Sequence, residues 1–174
     1  MRDWLVAGAL IEGPDGLLLV ENRRRNGSLD WSPPGGVIDE GEAVLEGLGR
    51  EVVEETGLVV TEWSDAVYEI EVLAPDLGWR LRVEAFRALS WTGDLVIDDP
   101  DGIVVDARFV SVERCGEHLG GGHRWVGEPL GEWLADPWEG LRSFGYHVAG
   151  STQPASPSPG RDRPELTGPS RPTR

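Results

Sequence analysis

Glu51, Glu54 and Glu55 stand at i, i+3 and i+4 in a stretch that reads as helix, so they share one face. Steps of about 100° per residue place Val44, Leu45, Leu48 and Val52 on an adjoining apolar stripe, whose edge overlaps Glu55. A solvated charge face lies opposite the core. Carboxylates beside the stripe should instead point into a cleft. They repel one another, and the negative end of the helix dipole disfavours them further. Such a cluster calls for a countercharge. A hard divalent cation with oxygen ligands is the natural one, Mg2+ first and Mn2+ as the alternative. Arg50 lies between Glu46 and Glu54 at i−4 and i+4. It reads as a rung of a helix ion-pair ladder and as a group that holds one carboxylate in a ligating rotamer.

The element that carries these residues is predicted as a helix over 42–56. It follows the turn Pro33-Pro34-Gly35-Gly36 and stops at Gly57, a natural residue after a helix end. Gly47 and Gly49 inside it each cost about 1 kcal/mol relative to alanine. Gly47 falls on the carboxylate face, where a missing side chain leaves room for a substrate, a metal or a packed loop; Gly49 is expected to allow close packing on another face. Gly35 and Gly36 let the backbone approach a metal or a phosphate closely. Trp31, just before the turn, reads either as a stacking platform for a base or as a buried indole.

The spacing has a name. Gly36, five residues, Glu42, seven residues, Arg50-Glu51-Val52, one residue, Glu54-Glu55, one residue, Gly57-Leu58 resembles the Nudix box. That box is the signature of enzymes that hydrolyse a nucleoside diphosphate linked to another group. Seven strict identities at about 7% usage each arise by chance on the order of once in 10^8 start positions. The resemblance implies a Nudix-type α/β/α sandwich with a mixed β-sheet between helices. It also implies that a carbonyl of Gly36 or Gly35 joins Glu51, Glu54 and Glu55 around the metal. Attack by water at phosphorus then releases a nucleoside monophosphate. The base comes from the box, as Glu51 or Glu54, or from a later acidic residue. Asp98, Asp99, Asp101 and Asp106 are the later candidates, and Asp106 stands just before a predicted strand, where some members of the family place the extra acid.

The resemblance leaves the substrate open. Family members that cleave ADP-ribose often carry a proline about fifteen residues past the box, and Pro75 lies further on. Those that cleave dinucleoside polyphosphates tend to carry a tyrosine at a similar distance, and Tyr68 lies nearer. Val37 stands where relatives acting on oxidised nucleotides often have lysine. Arg23, Arg24 and Arg25 offer guanidinium groups for a distal phosphate. They favour a nucleoside triphosphate, with an ordinary or oxidised base, over ADP-ribose or a nucleotide sugar. A non-catalytic nucleotide-sensing module on the same fold is the reading from another class; such modules usually lose box carboxylates, and all are present here.

Composition narrows the partners. The chain of 174 residues carries a net charge of −15, and all 16 of its cationic residues are arginine. Four of those arginines lie past residue 150, against Asp162 and Glu165 alone, so the body is more acidic than the whole. Such a surface does not suit long nucleic acid, whose phosphates need many cationic contacts. A small nucleotide carried in with its cation does suit it. No run of 18 apolar residues exists for a membrane span. A lone Cys115 rules out an internal disulfide and fits the cytoplasm. Nothing nominates its thiol as a nucleophile. A homodimer is compatible with the sequence.

Periodicity maps the remainder. Residues 4–11 and 17–21 flank Gly13-Pro14-Asp15-Gly16 and are predicted as a β-hairpin. Strands are predicted over 58–63, 66–73, 80–89 and 107–112, the middle two as an antiparallel pair. A second helix is predicted over 128–135, with Pro129 near its start. Residues 1–149 read as one domain, and the Pro, Ser and Arg-rich 150–174 as a disordered tail.

Overall fold

A computed structural model of the chain describes residues 1–150. The predicted tail lies outside the described residues, apart from Gly150. The described residues form nine strands and three α-helices.

β1 (Arg2–Leu10) is the hub of a five-stranded mixed sheet. It pairs antiparallel with β5 (Gly35–Val37) and parallel with β7 (Trp79–Thr92). β7 pairs antiparallel with β6 (Val59–Ala74), and β6 pairs parallel with the edge strand β9 (Arg142–His147). In a second, antiparallel sheet β3 (Gly16–Arg23) is central, paired with β2 (Glu12–Gly13), β4 (Leu29–Ser32) and β8 (Val104–Val110).

Helix α1 (Val44–Thr56) covers one side, where Leu48 and Val52 pack with Ala7, Ala9, Ile11, Leu18 and Phe86. Helices α2 (Val112–Leu119) and α3 (Arg124–Ala135) cover the other, where Leu119, Leu130 and Trp133 pack with Leu10, Leu17, Leu19, Ile70 and Val72. The expected α/β/α sandwich is the fold. Each of these fully buried leucines and valines contributes about 1.5–3 kcal/mol of burial.

The antiparallel pair of β6 and β7 forms as its alternation predicts: Tyr68, Ile70 and Val72 are buried, while Glu69 and Glu71 are exposed. The predicted strands over 58–63 and 66–73 are one strand. The register shifts between Val60 and Tyr68 absorb the break at Ser64-Asp65, and the Ser64 hydroxyl accepts the Arg87 N–H at 3.0 Å.

Other expectations need correction. The predicted hairpin shrinks to β2 and β3, because the chain leaves one sheet for the other after Leu10. The last predicted strand stops at Val110, and Val112 opens α2 instead. Pro129 lies in the interior of α3 rather than near its start, because the helix already begins at Arg124. Leu45 is 38% exposed, so the apolar stripe of α1 is narrower than its spacing implies.

Candidate active site

Helix α1 ends as its sequence directs. Gly57 takes the left-handed conformation (φ 77°), and its N–H reaches the Val53 carbonyl. Thr56 supports this end, donating its hydroxyl to the Val52 carbonyl at 2.7 Å and accepting the Leu58 N–H at 3.2 Å. The last turn therefore holds Glu51, Glu54 and Glu55 at fixed positions. Glu51 and Glu55 are buried, at 5% and 3% exposure, and the Glu54 side chain is 16% exposed.

Strand β5 lies directly against them. The Gly35 N–H donates to Glu55 Oε2 at 2.9 Å. A Cβ on Gly36 would come within 2.5 Å of Glu51 Cδ and 2.8 Å of both its carboxylate oxygens. Gly36 is thus glycine because the Glu51 carboxylate occupies the place of its side chain. Gly35 is glycine for a backbone reason: its φ is 150° and a Cβ would lie 2.1 Å from the Ala7 carbonyl oxygen.

Arg50 is more than a rung of a ladder. Its Nε and Nη2 grip both oxygens of Glu42 at 3.1 Å, and Nη1 reaches Glu51 Oε1 at 3.0 Å and Glu54 Oε2 at 3.6 Å. The main partner is Glu42, not the expected Glu46, because the loop before α1 folds Glu42 back beside the helix. Glu42 also accepts the Asp39 N–H at 3.1 Å. Bonding to Arg50 holds the Glu42 carboxyl below its usual range and raises the Arg50 guanidinium. Gly47 makes room for this loop: a Cβ there would lie 2.7 Å from Glu42 Oε2 and 2.8 Å from Ile38 Cδ1. Gly49 faces open space, so close packing is not its reason.

The donor chemistry suits a hard cation. Burial, followed by the charges of Glu51, Asp99 and Glu54, pushes Glu55 well above the usual carboxylate range. Clustered buried carboxylates with that strain gain from a divalent charge. As the side chains stand, no three His, Cys, Asp or Glu groups among the described residues converge at metal-holding distance. Arg50 pairs with Glu51 and Glu54, while the Gly35 N–H holds Glu55.

On the far side of β5 lies a cavity, and Gly35 and Gly36 form part of its wall. Its sheet wall is Val6, Gly8, Leu10, Tyr68, Ile70, Leu81, Val83 and Ala85, all from β1, β6 and β7. Arg24 and Ser32 line one side. His123 and Trp125 line another, with rings stacked at 4.0 Å and 9° apart in plane. Spacing alone did not single out these two aromatics. Their one local signal is the glycine run Gly120–Gly122, which halts α2 and lets α3 start over the sheet.

The remaining predicted residues divide. Arg24 reaches the cavity, but its guanidinium is held in a fork by Asp30 at 2.7 Å on both oxygens. Asn22 and Ser32 extend that network. Arg23 is exposed and does not line the cavity. Trp31 is outside it too; its ring carries Arg108 at 5.0 Å and His118 at 5.0 Å. Asp106 pairs with Arg108 and accepts the Ala107 N–H at 2.8 Å, with no contact to the box carboxylates. Asp99 is the acid whose charge reaches Glu55, while its own oxygens accept the N–H groups of Asp101, Ile103 and Val104. Cys115 is buried against the Val110 carbonyl, and burial pushes its thiol up, as suits an inert side chain.

The fork between Arg24 and Asp30 has side chains only 15% and 11% exposed. Arg24→Ala strands a mostly buried carboxylate and is expected to destabilise the fold by about 3 kcal/mol, read as a fall in thermal midpoint. Arg23→Ala should leave the midpoint where it is.

The NUDIX domain family model matches residues 3–130, and the chain belongs to that family of pyrophosphohydrolases, which generally use divalent metals. Solved structures with this fold include a MutT protein from Methanosarcina mazei (20% identity, TM-score 0.62, covering 77% of this chain and 94% of that one). A MutT protein from Bacillus halodurans is similar (20% identity, TM-score 0.61, 84% and 90% covered). So is an ADP-ribose pyrophosphatase from Streptococcus suis (24% identity, TM-score 0.52, 82% and 98% covered). At these identities the likeness is one of fold. No helix among the described residues is long and apolar enough to cross a membrane.

Proposed function

We propose that this protein hydrolyses a phosphoanhydride bond of a nucleoside diphosphate derivative with Mg2+, and that a nucleoside triphosphate is its first substrate class. One observation carries the reading. The glycine strand Gly35–Gly36 is shared by an apolar cavity on one side and by the Glu51 and Glu55 carboxylates on the other. A nucleoside held in the cavity sends its phosphates across the two glycines, which have no side chains, toward the acidic cluster.

Each group then has a task. Trp125, stacked on His123, offers a flat partner for a base, and Val6, Ile70 and Val83 exclude water from it. Glu51, Glu54 and Glu55, with a carbonyl of Gly36 or Gly35, would hold the metal. Bound there, Mg2+ neutralises phosphate charge and makes water a better nucleophile. Attack of water at phosphorus breaks the P–O anhydride bond and releases a nucleoside monophosphate and pyrophosphate. Glu54 has the most accessible of the three side chains, which suits it to take the proton from that water and pass it to solvent. Arg50 holds Glu51 and Glu54 in place through its anchor on Glu42. Asp106, tied to Arg108, has no part in this scheme.

The name of the Streptococcus suis neighbour keeps ADP-ribose as the second substrate class. Arg24 no longer separates the two classes, because its fork with Asp30 faces the cavity rather than a terminal phosphate.

Gly8 tests the cavity. It lies on the sheet wall between Gly35 and Ala85, and a Cβ there meets nothing within 4 Å. Gly8→Ala therefore adds a methyl on the cavity wall without striking the protein. The expected result is a rise in KM of about 10-fold or more with little change in thermal midpoint, given that a misplaced substrate loses binding energy steeply. An unchanged KM for every nucleotide cleaved would place the nucleoside elsewhere.

A further inference from the structure

Tyr68 breaks a rule that its neighbours keep. Buried tyrosine hydroxyls and indole N–H groups find hydrogen-bond partners in folded proteins. The Tyr146 hydroxyl donates to Glu128 Oε2 at 3.0 Å, and Trp138 Nε1–H donates to the Val67 carbonyl at 3.0 Å. Tyr68 is only 4% exposed, yet its hydroxyl makes no hydrogen bond among the described residues. Its ring packs in a triangle with Phe144 and Trp138, with centroids 6.1 and 6.5 Å away. Two indoles, Trp4 and Trp79, seal an unpartnered N–H away from solvent, but neither lines the cavity; the Tyr68 hydroxyl is not among such sealed atoms. Tyr68 does line the cavity.

Tyr68 thus brings the one hydroxyl of a sheet wall whose other lining residues carry no polar side chain. Burial pushes its ionisation up, so it stays a neutral O–H donor throughout the physiological range. Its neighbours in the wall are small or aliphatic: Gly8, Ala85, Ile70 and Val83. None of them competes for a polar atom of a ligand.

We propose that the Tyr68 hydroxyl is a specificity-determining group that donates a hydrogen bond to an acceptor on the substrate's base. This inference rests on the reading of the cavity as the nucleoside site and adds the group that reads the base within it. A ligand that presents an apolar edge leaves the hydroxyl desolvated and unbonded, which sites of this kind penalise heavily. A ligand with no base, such as inorganic triphosphate, is indifferent to it.

The hydroxyl can be removed alone. Tyr68→Phe keeps the ring and its contacts with Phe144 and Trp138. Calorimetric titration with the non-hydrolysable α,β-methylene analogues of ATP, GTP, CTP and UTP, and with inorganic triphosphate, all with Mg2+, reads binding without turnover. The expected result is about 10-fold weaker binding of the tightest analogue, unchanged binding of inorganic triphosphate, and a ligand-free thermal midpoint equal to or above wild type. The last point separates recognition from structure, since a hydroxyl that bonds within the protein or to a fixed water loses stability when deleted. Equal affinity of both proteins for every analogue overturns the inference while leaving the function intact. A lowered midpoint, or equal weakening of inorganic triphosphate, overturns it as well by making the hydroxyl structural. Failure of every analogue to bind the wild-type protein overturns the cavity assignment itself.

Discussion

Glu54→Gln is expected to lower kcat by about 10^3-fold, the scale on which removing a charge-stabilising group from a reacting centre acts, while the fold stays intact. The change deletes one negative charge and one proton acceptor, and leaves the size of the side chain alone. The fold should tolerate it because Arg50 keeps its two bonds to Glu42 and its bond to Glu51. Steady-state kinetics beside a thermal melt check both halves. Arg50→Ala should cost less in kcat, because Arg50 acts through the carboxylates it holds. A Glu54→Gln enzyme at near wild-type rate would return the last turn of α1 to an ordinary charged surface.

Gly36→Ala should be nearly as damaging to activity, and Gly35→Ala should damage something else. At Gly36 the new methyl meets the end of one flexible side chain, Glu51, at 2.5 Å. Glu51 must swing away, so the protein folds and the acidic cluster is broken; a fall in kcat of about 10^2-fold or more is expected. At Gly35 the methyl meets the Ala7 carbonyl oxygen at 2.1 Å, on a backbone with φ 150°. Neither can give way cheaply. The cost falls on the fold, at about 1–3 kcal/mol for the backbone conformation alone. Melts and kinetics on the two variants should therefore separate: one stable and inactive, the other unstable. Matching losses in both measurements for both variants would contradict the assignment of Gly36 to the Glu51 carboxylate.

These residues were legible in the sequence because the box is local. Its carboxylates, its arginine and its stop at Gly57 lie within one helix, where spacing fixes direction. The antiparallel pair of β6 and β7 was legible for a similar reason, since alternation at Tyr68, Ile70 and Val72 reports one buried face. What spacing did not reach was the cavity. Its walls come from β1, β4, β5, β6, β7 and α3, and no pairing rule visible in the sequence brings Gly8 beside Ala85 or Trp125 to the same cavity as Ile70. Trp31 precedes the glycine turn in sequence, but Arg108 and His118 take up its ring. Arg24 belongs to a basic run, but Asp30, six residues on, claims its guanidinium. The edge strand β9 hides in a short segment whose alternation rests on two half-buried aromatics alone, Phe144 and Tyr146.

The proposed function has the cavity, the glycine strand and the acidic cluster acting together on one phosphoanhydride. It is tested most directly by separating the products formed from ATP, GTP, CTP, UTP, an oxidised guanosine triphosphate and ADP-ribose, with Mg2+ and then with excess EDTA after metal stripping. Nucleoside monophosphate and pyrophosphate are expected from at least one triphosphate in Mg2+, and none in EDTA. Cleavage undiminished by EDTA, or no anhydride cleaved from any of the six, would contradict it.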